Sequence, residues 1–281
     1  MISTENPVRS IEPLQADYFL LDLPAPRQAA LAAPGHFFML GLPGAGLSLD
    51  PLLNRPISVL DVLPDAGGRP RSLVFLVKKV GRGTRLMSSL AKGSTLRCTG
   101  PLGNTFPEPS PGERIVLAGG GVGIAPLHFF AARWAGRASL TVFYGGKRAA
   151  DLPLADRFGA LAPGAFHAVT EDGSVGEEGL VTGPLGRYLA DRPDERVYCC
   201  GPTPMMRAVC ETAGDPARVW ASLESRMACG IGICLGCALP VAAGTAAPDR
   251  AAPPGGVTME RVCKEGPVFR ADRIVWESLP D

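Results

Sequence analysis

Ile115-Val116-Leu117-Ala118-Gly119-Gly120-Gly121-Val122-Gly123-Ile124-Ala125-Pro126 passes from an apolar run through a glycine turn into a segment whose Leu127, Phe130, Ala131 and Trp134 fall on one helical face. A strand leading through a tight turn into a helix is the opening unit of a parallel α/β sheet. Ile115 to Ala132 contains no Asp, Glu, Lys or Arg and is about as long as a membrane span. Glycines bunched beside Pro126 break such a span, so the membrane reading is set aside. The turn also suits a nucleotide phosphate, because it follows a strand and opens a helix. It lacks the G-x-G-x-x-G fingerprint with an acid about twenty residues on, so the standard dinucleotide fold does not follow from it.

Downstream, apolar strands are expected at Leu140 to Tyr144, Phe166 to Val169, Val197 to Cys200 and Val219 to Ala221, with helix-compatible segments between several of them. Cys200-Gly201-Pro202-Thr203-Pro204-Met205 ends one of these strands, at the sheet edge where α/β proteins place ligands; an ordinary turn is the competing reading. Residues 111–223 are therefore read as a parallel α/β nucleotide-binding domain. Upstream, Tyr18 to Leu23, Phe37 to Leu42, Ile57 to Val62, Leu73 to Val80 and Thr95 to Cys98 are short apolar segments broken by Pro and Gly. That rhythm predicts an antiparallel β-barrel over residues 1–110, with a hairpin tip at Pro64 to Arg71 and a helix at Arg85 to Ala91. Arg55-Pro56-Ile57-Ser58 and Lys78-Lys79-Val80-Gly81-Arg82-Gly83-Thr84 both suit a diphosphate. An arginine fork matches phosphate oxygens, and a Gly-Thr step opening a helix offers N–H groups and a hydroxyl. Each segment alone also reads as a solvated surface turn.

After Glu224 the texture changes, and residues 224–281 form a third, small domain with a loose Ala/Pro/Gly stretch from Ala242 to Gly256. Cys229, Cys234 and Cys237 stand as C-x4-C-x2-C, with Cys263 downstream, the spacing of plant-type [2Fe-2S] ligation. Thiolates are soft donors for iron, and Gly230, Gly232 and Gly236 let a loop wrap closely and aim N–H groups at sulfur. Structural zinc and inert buried cysteines are the competing readings; zinc sites typically pair two short knuckles, whereas here one triplet meets one distant cysteine. Cys98, Cys199, Cys200 and Cys210 sit in apolar contexts as small buried hydrophobes.

The formal charge is +1, which offers no basic field for nucleic acid or an anionic membrane. Met1 to Ser10 lacks the basic start and apolar run of a secretory signal, so a cytoplasmic location is expected. His36, His128 and His167 are read as packed or surface residues, and no catalytic acid–base residue is nominated.

Taken in order, Arg55-Pro56-Ile57-Ser58, Gly81-Arg82-Gly83-Thr84, Gly100-Pro101-Leu102-Gly103-Asn104, the glycine turn through Pro126 and Cys200 to Met205 resemble the ferredoxin–NADP reductase superfamily across nearly the whole chain. Glu224-Ser225-Arg226-Met227-Ala228-Cys229-Gly230-Ile231-Gly232-Ile233-Cys234-Leu235-Gly236-Cys237 narrows this, resembling the iron–sulfur electron-transfer subunit of class 1B dihydroorotate dehydrogenase. The resemblance implies a multidomain α+β chain with an FAD-binding barrel, an NAD-binding domain and a C-terminal [2Fe-2S] domain. It implies that FAD is held by Arg55, Pro56, Ile57, Ser58, Leu76, Val77, Lys78, Gly83 and Thr84. Gly119, Gly120, Gly121, Gly123 and Gly201 would border NAD(H), and Cys229, Cys234, Cys237 and Cys263 would hold the cluster. The implied partner is an FMN-containing catalytic subunit in a heterotetramer of two each. Electrons would run between NADH and orotate in pyrimidine biosynthesis. Ile57 stands where many members of the wider superfamily carry an aromatic residue, and the spacer before Cys263 is long and Pro/Ala-rich. Lys147 and Arg148 could accept a 2′-phosphate; the resemblance favours NADH. A subunit of a sulfide dehydrogenase or of an NADH-dependent ferredoxin:NADP oxidoreductase shares this architecture, but some of those relatives replace one cluster cysteine by an acid. A zinc-stabilised or redox-sensing binding module is the reading from another class, and it would purify without flavin colour.

Overall fold

A computed structural model describes residues 1–42, 51–242 and 256–279. The N-terminal strands are β1 (Ile2–Pro7), β2 (Ser10–Pro13), β3 (Tyr18–Pro24), β4 (Phe37–Gly41), β5 (Arg55–Pro64), β6 (Pro70–Lys78) and β7 (Thr95–Leu102). They form a curled antiparallel sheet in the order β1-β7-β4-β5-β6-β3-β2. The first two strands pair with opposite edges of it. Between them Val8 N–H donates to Ser94 O at 2.8 Å and Arg9 N–H to Asp22 O at 2.9 Å, so the N-terminal segment bridges the edges. Short helices α1 (Pro26–Ala29) and α2 (Arg82–Ser88) complete this part. The start of α2 lies three residues before the expected Arg85. Thr84 explains the shift: its hydroxyl accepts from Val80 N–H and Gly81 N–H at 3.1 and 3.2 Å and donates to Gly81 O, closing the first turn.

The second sheet contains β8 (Arg114–Gly120), β9 (Ser139–Gly146), β10 (Phe166–Thr170), β11 (Glu177–Glu178), β12 (Arg196–Cys200) and β13 (Val219–Ser222). Its helices are α3 (Ile124–Trp134), α4 (Ala155–Leu161), α5 (Thr182–Leu189) and α6 (Thr203–Ala213). The order is β11-β10-β9-β8-β12-β13-β16, parallel from β11 to β13. The C-terminal segment adds β14 (Ala238–Ala242), β15 (Val257–Arg261) and β16 (Val268–Arg270). While β14 and β15 pair with each other, β16 joins β13 antiparallel, so the nucleotide-domain sheet is completed by residues from the far end of the chain.

Strands β3 and β6 read as continuous apolar runs because both of their faces are covered. Phe19, Leu21, Leu23, Leu73, Phe75 and Val77 fill the interior of the curled sheet. The alternating set Tyr18, Leu20, Val74 and Leu76 packs with Ile124, Leu127, Phe130 and Ala131 of α3. Leu127, Phe130, Ala131 and Trp134 are buried as expected of one helical face, but His128 and Phe129 on other sides are buried too. The helix is wedged between the two sheets. A third core joins α5, α6 and the second sheet to Phe37, Met39 and Leu102 of the barrel and to Cys237, Leu239, Val262, Cys263 and Phe269 of the C-terminal segment.

Asn104 ties these last parts together. Its amide nitrogen donates to Glu265 O and Val268 O at 2.9 and 2.8 Å, its amide oxygen accepts from Val268 N–H at 2.9 Å, and its own N–H donates to Gly266 O at 2.6 Å. Thus the end of the Gly100 to Asn104 motif pins the segment just after Cys263 onto the barrel. Among the described residues no helix is long and apolar enough to cross a membrane.

Candidate functional site

A cleft opens where β5 and β6 meet the start of α3 and the chain leaving β13. Arg55, Pro56, Ile57, Ser58, Leu76, Val77, Lys78 and Thr84 all line it. Gly83 supports this wall from behind: a Cβ there would fall 2.5 Å from Arg55 Nε, so glycine lets the guanidinium lie against the first turn of α2. Arg55 Nη1 also donates to Leu53 O. The Thr84 hydroxyl, expected to face an anion, instead donates to Gly81 O, because the turn needs its own acceptor satisfied. Glu224, Ser225 and Met227 line the opposite wall with Val122, Ala125 and Pro126. The sequence reading assigned none of these six to this cleft. Each lies within a motif already quoted, on an element that only tertiary packing brings across.

A second cavity, about 430 Å³, runs along the C-terminal ends of the parallel strands. Gly120 and Gly121 line it, with Gly145, Gly146, Lys147, Asp151, Glu171, Pro202 and Met205. The other expected glycines shape it from within. A Cβ on Gly119 would lie 2.2 Å from Ile124 Cδ1, and one on Gly123 2.6 Å from Gly201 Cα. A Cβ on Gly201 would reach Met205 Cε at 2.7 Å. The turns after β8 and β12 therefore touch backbone to backbone at the point where strand order reverses, which is where open α/β sheets bind ligands. Gly121 has φ +54°, in the left-handed region that favours glycine.

Lys78 lines both cavities. Its ammonium pairs with Asp151 Oδ1 at 3.3 Å and lies 4.9 Å from the centroid of the Tyr18 ring. Burial opposes its charge, but Tyr18 and Asp151 outweigh that and hold its pKa above the ordinary lysine value. Burial likewise raises the Tyr18 phenol, whose hydroxyl stands 3.5 Å from Asp151 Oδ1. Tyr18 and Asp151 are far apart in sequence and carry no motif.

The first of the cysteines, Cys229, lies two residues past Met227 of the first cleft. Cys229 is half-buried, Cys234 exposed, and Cys237 and Cys263 buried. Ile231 N–H and Cys234 N–H each point at Cys229 Sγ at 3.5 Å. Burial works against this thiolate, yet the N–H groups of Cys234, Ile231 and Ile233 prevail and lower its pKa to about 6. Cys263 faces Cys237, and burial followed by that contact raises its thiol to about 12. Gly230 and Gly232 take φ +69° and +80°, and Arg261 Nη1 braces the loop by donating to Gly232 O at 2.6 Å. Among the described residues no three His, Cys, Asp or Glu side chains are gathered into a metal-holding group. Cys98, Cys199, Cys200 and Cys210 are buried. His128 Nδ1 meets Leu60 O at 3.2 Å, His167 stacks on Phe143 at 4.6 Å, and His36 accepts from Ala33 N–H at 3.1 Å.

Residues 224–275 match the iron–sulfur cluster binding domain of dihydroorotate dehydrogenase B, and residues 117–211 match the oxidoreductase NAD-binding domain. The chain is 34% identical to the electron transfer subunit of dihydroorotate dehydrogenase B (NAD(+)) from Desulforamulus reducens over 271 residues, covering 92% of this chain and 93% of that one. The chain belongs to this family of electron-transfer subunits. The counterpart from Caldanaerobacter subterraneus is 37% identical over 245 residues, covering 86% of this chain and 87% of its own. Among solved structures, that of the NADH-dependent reduced ferredoxin-NADP oxidoreductase superposes with a TM-score of 0.79 at 25% identity, covering 98% of this chain and 91% of that one. A Neisseria gonorrhoeae ferredoxin NADP+ reductase with bound FAD and NADP shares the fold, at TM-score 0.59, 19% identity and coverage of 75% and 89%.

Membership in the dihydroorotate dehydrogenase B family makes the chain an oxidoreductase electron-transfer subunit with iron–sulfur and NAD-binding domains, and its residues fit those groups. The donor set is four thiols, one already biased toward thiolate by N–H groups aimed at its sulfur. Cys237 and Cys263 are buried face to face, and with Cys229 and Cys234 they make a set of soft donors suited to iron. The cleft lined by Arg55 and Ile57 combines an arginine fork with an apolar wall, a lining that suits a diphosphate joined to a planar ring.

Proposed function

We propose that this subunit passes electrons between NAD(H) and an FMN-containing dihydroorotate dehydrogenase catalytic subunit, in a cytoplasmic heterotetramer of two each serving pyrimidine biosynthesis. The observation that carries this reading is continuity: Lys78 borders both the nucleotide cavity and the flavin-side cleft, and Met227, two residues before Cys229, borders that cleft on its other side. Residues 1–110 would bind FAD, 111–223 NAD(H) and 224–281 the cluster, with β16 reaching back into the nucleotide sheet.

In this reading FAD and the [2Fe-2S] cluster, when bound, supply the exchange between a two-electron hydride and single electrons. Arg55 takes the diphosphate, held in place by Gly83, while Pro56, Ile57, Ser58, Leu76 and Val77 pack the ring and exclude water. Gly120 and Gly121 admit the nicotinamide nucleotide, and Gly119, Gly123 and Gly201 keep the two turns close enough to orient it. Lys78, clamped by Asp151 and Tyr18, sets the spacing between the two cavities. Cys229, Cys234, Cys237 and Cys263 hold the cluster, with Cys234 toward solvent and the partner.

The close superposition on the ferredoxin-NADP oxidoreductase supports a second reading, in which the electron partner is of that kind. Affinity purification from the native host followed by anaerobic assay of orotate-dependent NADH oxidation separates the two. Activity with a co-purifying FMN subunit is expected. A flavin- and iron-coloured preparation that ignores orotate but reduces ferredoxin would favour the second.

A further inference from the structure

Arg261 ends β15 and pairs in register with Ala238, the residue after Cys237, while Cys263 follows two residues on. Val262 N–H donates to Cys237 O at 3.1 Å, so this hairpin carries two of the four thiols. The Arg261 side chain joins it to the loop that carries the other two. On one side its Nε donates to Glu265 Oε2 at 2.9 Å and its Nη2 to Glu265 Oε1, a two-point fork. Arg261 N–H donates to the same Oε2 at 2.8 Å, and Glu265 N–H donates back to Arg261 O at 2.9 Å. Closed on the carboxylate in this way, the guanidinium aims Nη1 at Gly232 O, 2.6 Å away. The two side chains are only 12% and 18% exposed, so the contact is shielded from water.

Gly232 is the pivot of this arrangement. Its N–H donates to the Cys263 sulfur. Its carbonyl belongs to the peptide group that ends in Ile233 N–H, and that N–H donates to the Cys229 sulfur. One peptide group therefore accepts from a guanidinium at its oxygen and donates to a thiol at its nitrogen. A cationic donor at the oxygen polarises the group and strengthens what its N–H offers to sulfur. Gly232 reaches this geometry at φ +80°, and a Cβ there would lie 3.4 Å from Arg261 Nη1 and 2.9 Å from Lys264 Cδ. Glu265 foremost, working against burial, and then Cys263 and Cys237 hold the Arg261 pKa above the ordinary arginine value, so the cation is within electrostatic reach of both buried thiols. Lys264, the neighbouring cation, is exposed.

We propose that Arg261 is a positioning residue for the iron–sulfur cluster: by holding the Gly232–Ile233 peptide group it aims N–H donors at Cys229 and Cys263, and it raises the reduction potential of the cluster those thiols hold. Reduction adds negative charge at the sulfurs, and N–H donors and a fixed cation beside them both favour the more negative state. Arg261 acts through Gly232 and touches no ligand atom itself. Glu265 keeps the guanidinium in place, and Asn104, whose amide donates to Glu265 O at 2.9 Å, carries the same brace to the barrel. The inference rests on reading the four cysteines as the cluster ligands, which the iron content of the native chain tests separately.

An anaerobic, dye-mediated redox titration of the full-length, cofactor-loaded chain tests it, with the native protein, Arg261→Gln, Arg261→Lys and Lys264→Gln compared. Flavin per chain serves as the folding control, and hydrogen exchange over Gly232 and Ile233 reports the peptide group directly. Arg261→Gln is expected to shift the one-electron equilibrium of the cluster toward its oxidised form on the order of tenfold, about 59 mV, with faster exchange at Gly232 and Ile233. Arg261→Lys keeps the charge but not the fork, so a smaller shift in the same direction is expected, again with faster exchange. Lys264→Gln should stay within about twofold of native. If Arg261→Gln loads no iron, Arg261→Lys decides the matter by the same two readouts. An arginine variant with iron whose potential and exchange both match the native protein would overturn the proposal while the ligand reading stood. A shift in Lys264→Gln as large as that in Arg261→Gln would overturn it in favour of summed local charge. Native protein that holds no iron would overturn the ligand reading and the proposal with it.

Discussion

The cavity along the sheet edge and the cysteine loop are both organised by closely spaced glycines, yet they differ in what holds them. At the cavity, Gly123 and Gly201 bring two turns into backbone contact, and the residues behind them belong to a core shared by the two sheets. At the loop, Gly230 and Gly232 take left-handed conformations among the thiols, with Cys234 exposed. Ile233 and Leu235 beside it are 75% and 60% exposed. One region is held by packing against the shared core, while the other is held by left-handed glycines and by N–H groups aimed at Cys229 Sγ. Stability and redox loading are therefore expected to separate experimentally.

The largest effect is expected at the loop. Cys234→Ser and Cys263→Ser should each abolish cluster loading while flavin content stays near the native value, as measured by iron and flavin per chain. Native iron in either variant would break the contrast. Next in size, Gly123→Val should strike the region held by packing, since its Cβ meets Gly201 backbone that cannot move cheaply. A loss of about 1–3 kcal/mol in urea unfolding, with NAD+ binding weakened at least about tenfold and iron content unchanged, is expected. Asn104→Ala sharpens the comparison by loosening the bridge between the regions. Losing its bonds to residues 265–268 should cost about 1–3 kcal/mol and raise hydrogen exchange at Val268. Smallest, Asp151→Asn removes a partly exposed ion pair with Lys78 and should shift stability by less than about 1 kcal/mol.

Features determined by local chemistry were legible in the sequence. The turn at Gly119 to Gly123 follows its strand and opens its helix as spacing alone requires, and the C-x4-C-x2-C loop falls within the residues that match the iron–sulfur cluster binding domain. What escaped is set by distant packing. Strands β1 and β2 are edge strands with exposed polar residues, so neither shows a clear apolar alternation. The three residues of β16 are too few to carry a periodicity, and their place beside β13 follows from the Asn104 bonds to Val268. Tyr18, Asp151 and Glu171 reach the cavity along the sheet edge from separate elements, and no spacing rule links them. The Thr84 hydroxyl was read toward a ligand, whereas the competing demand of its own turn governs it.

An anaerobic titration of the purified, cofactor-loaded chain with NADH, following the flavin and iron–sulfur absorbance bands together, tests most directly the claim that one continuous path joins the two cavities to the cysteine loop. Parallel bleaching of both bands is expected. Complete bleaching of the flavin band with the iron–sulfur band unchanged would contradict it.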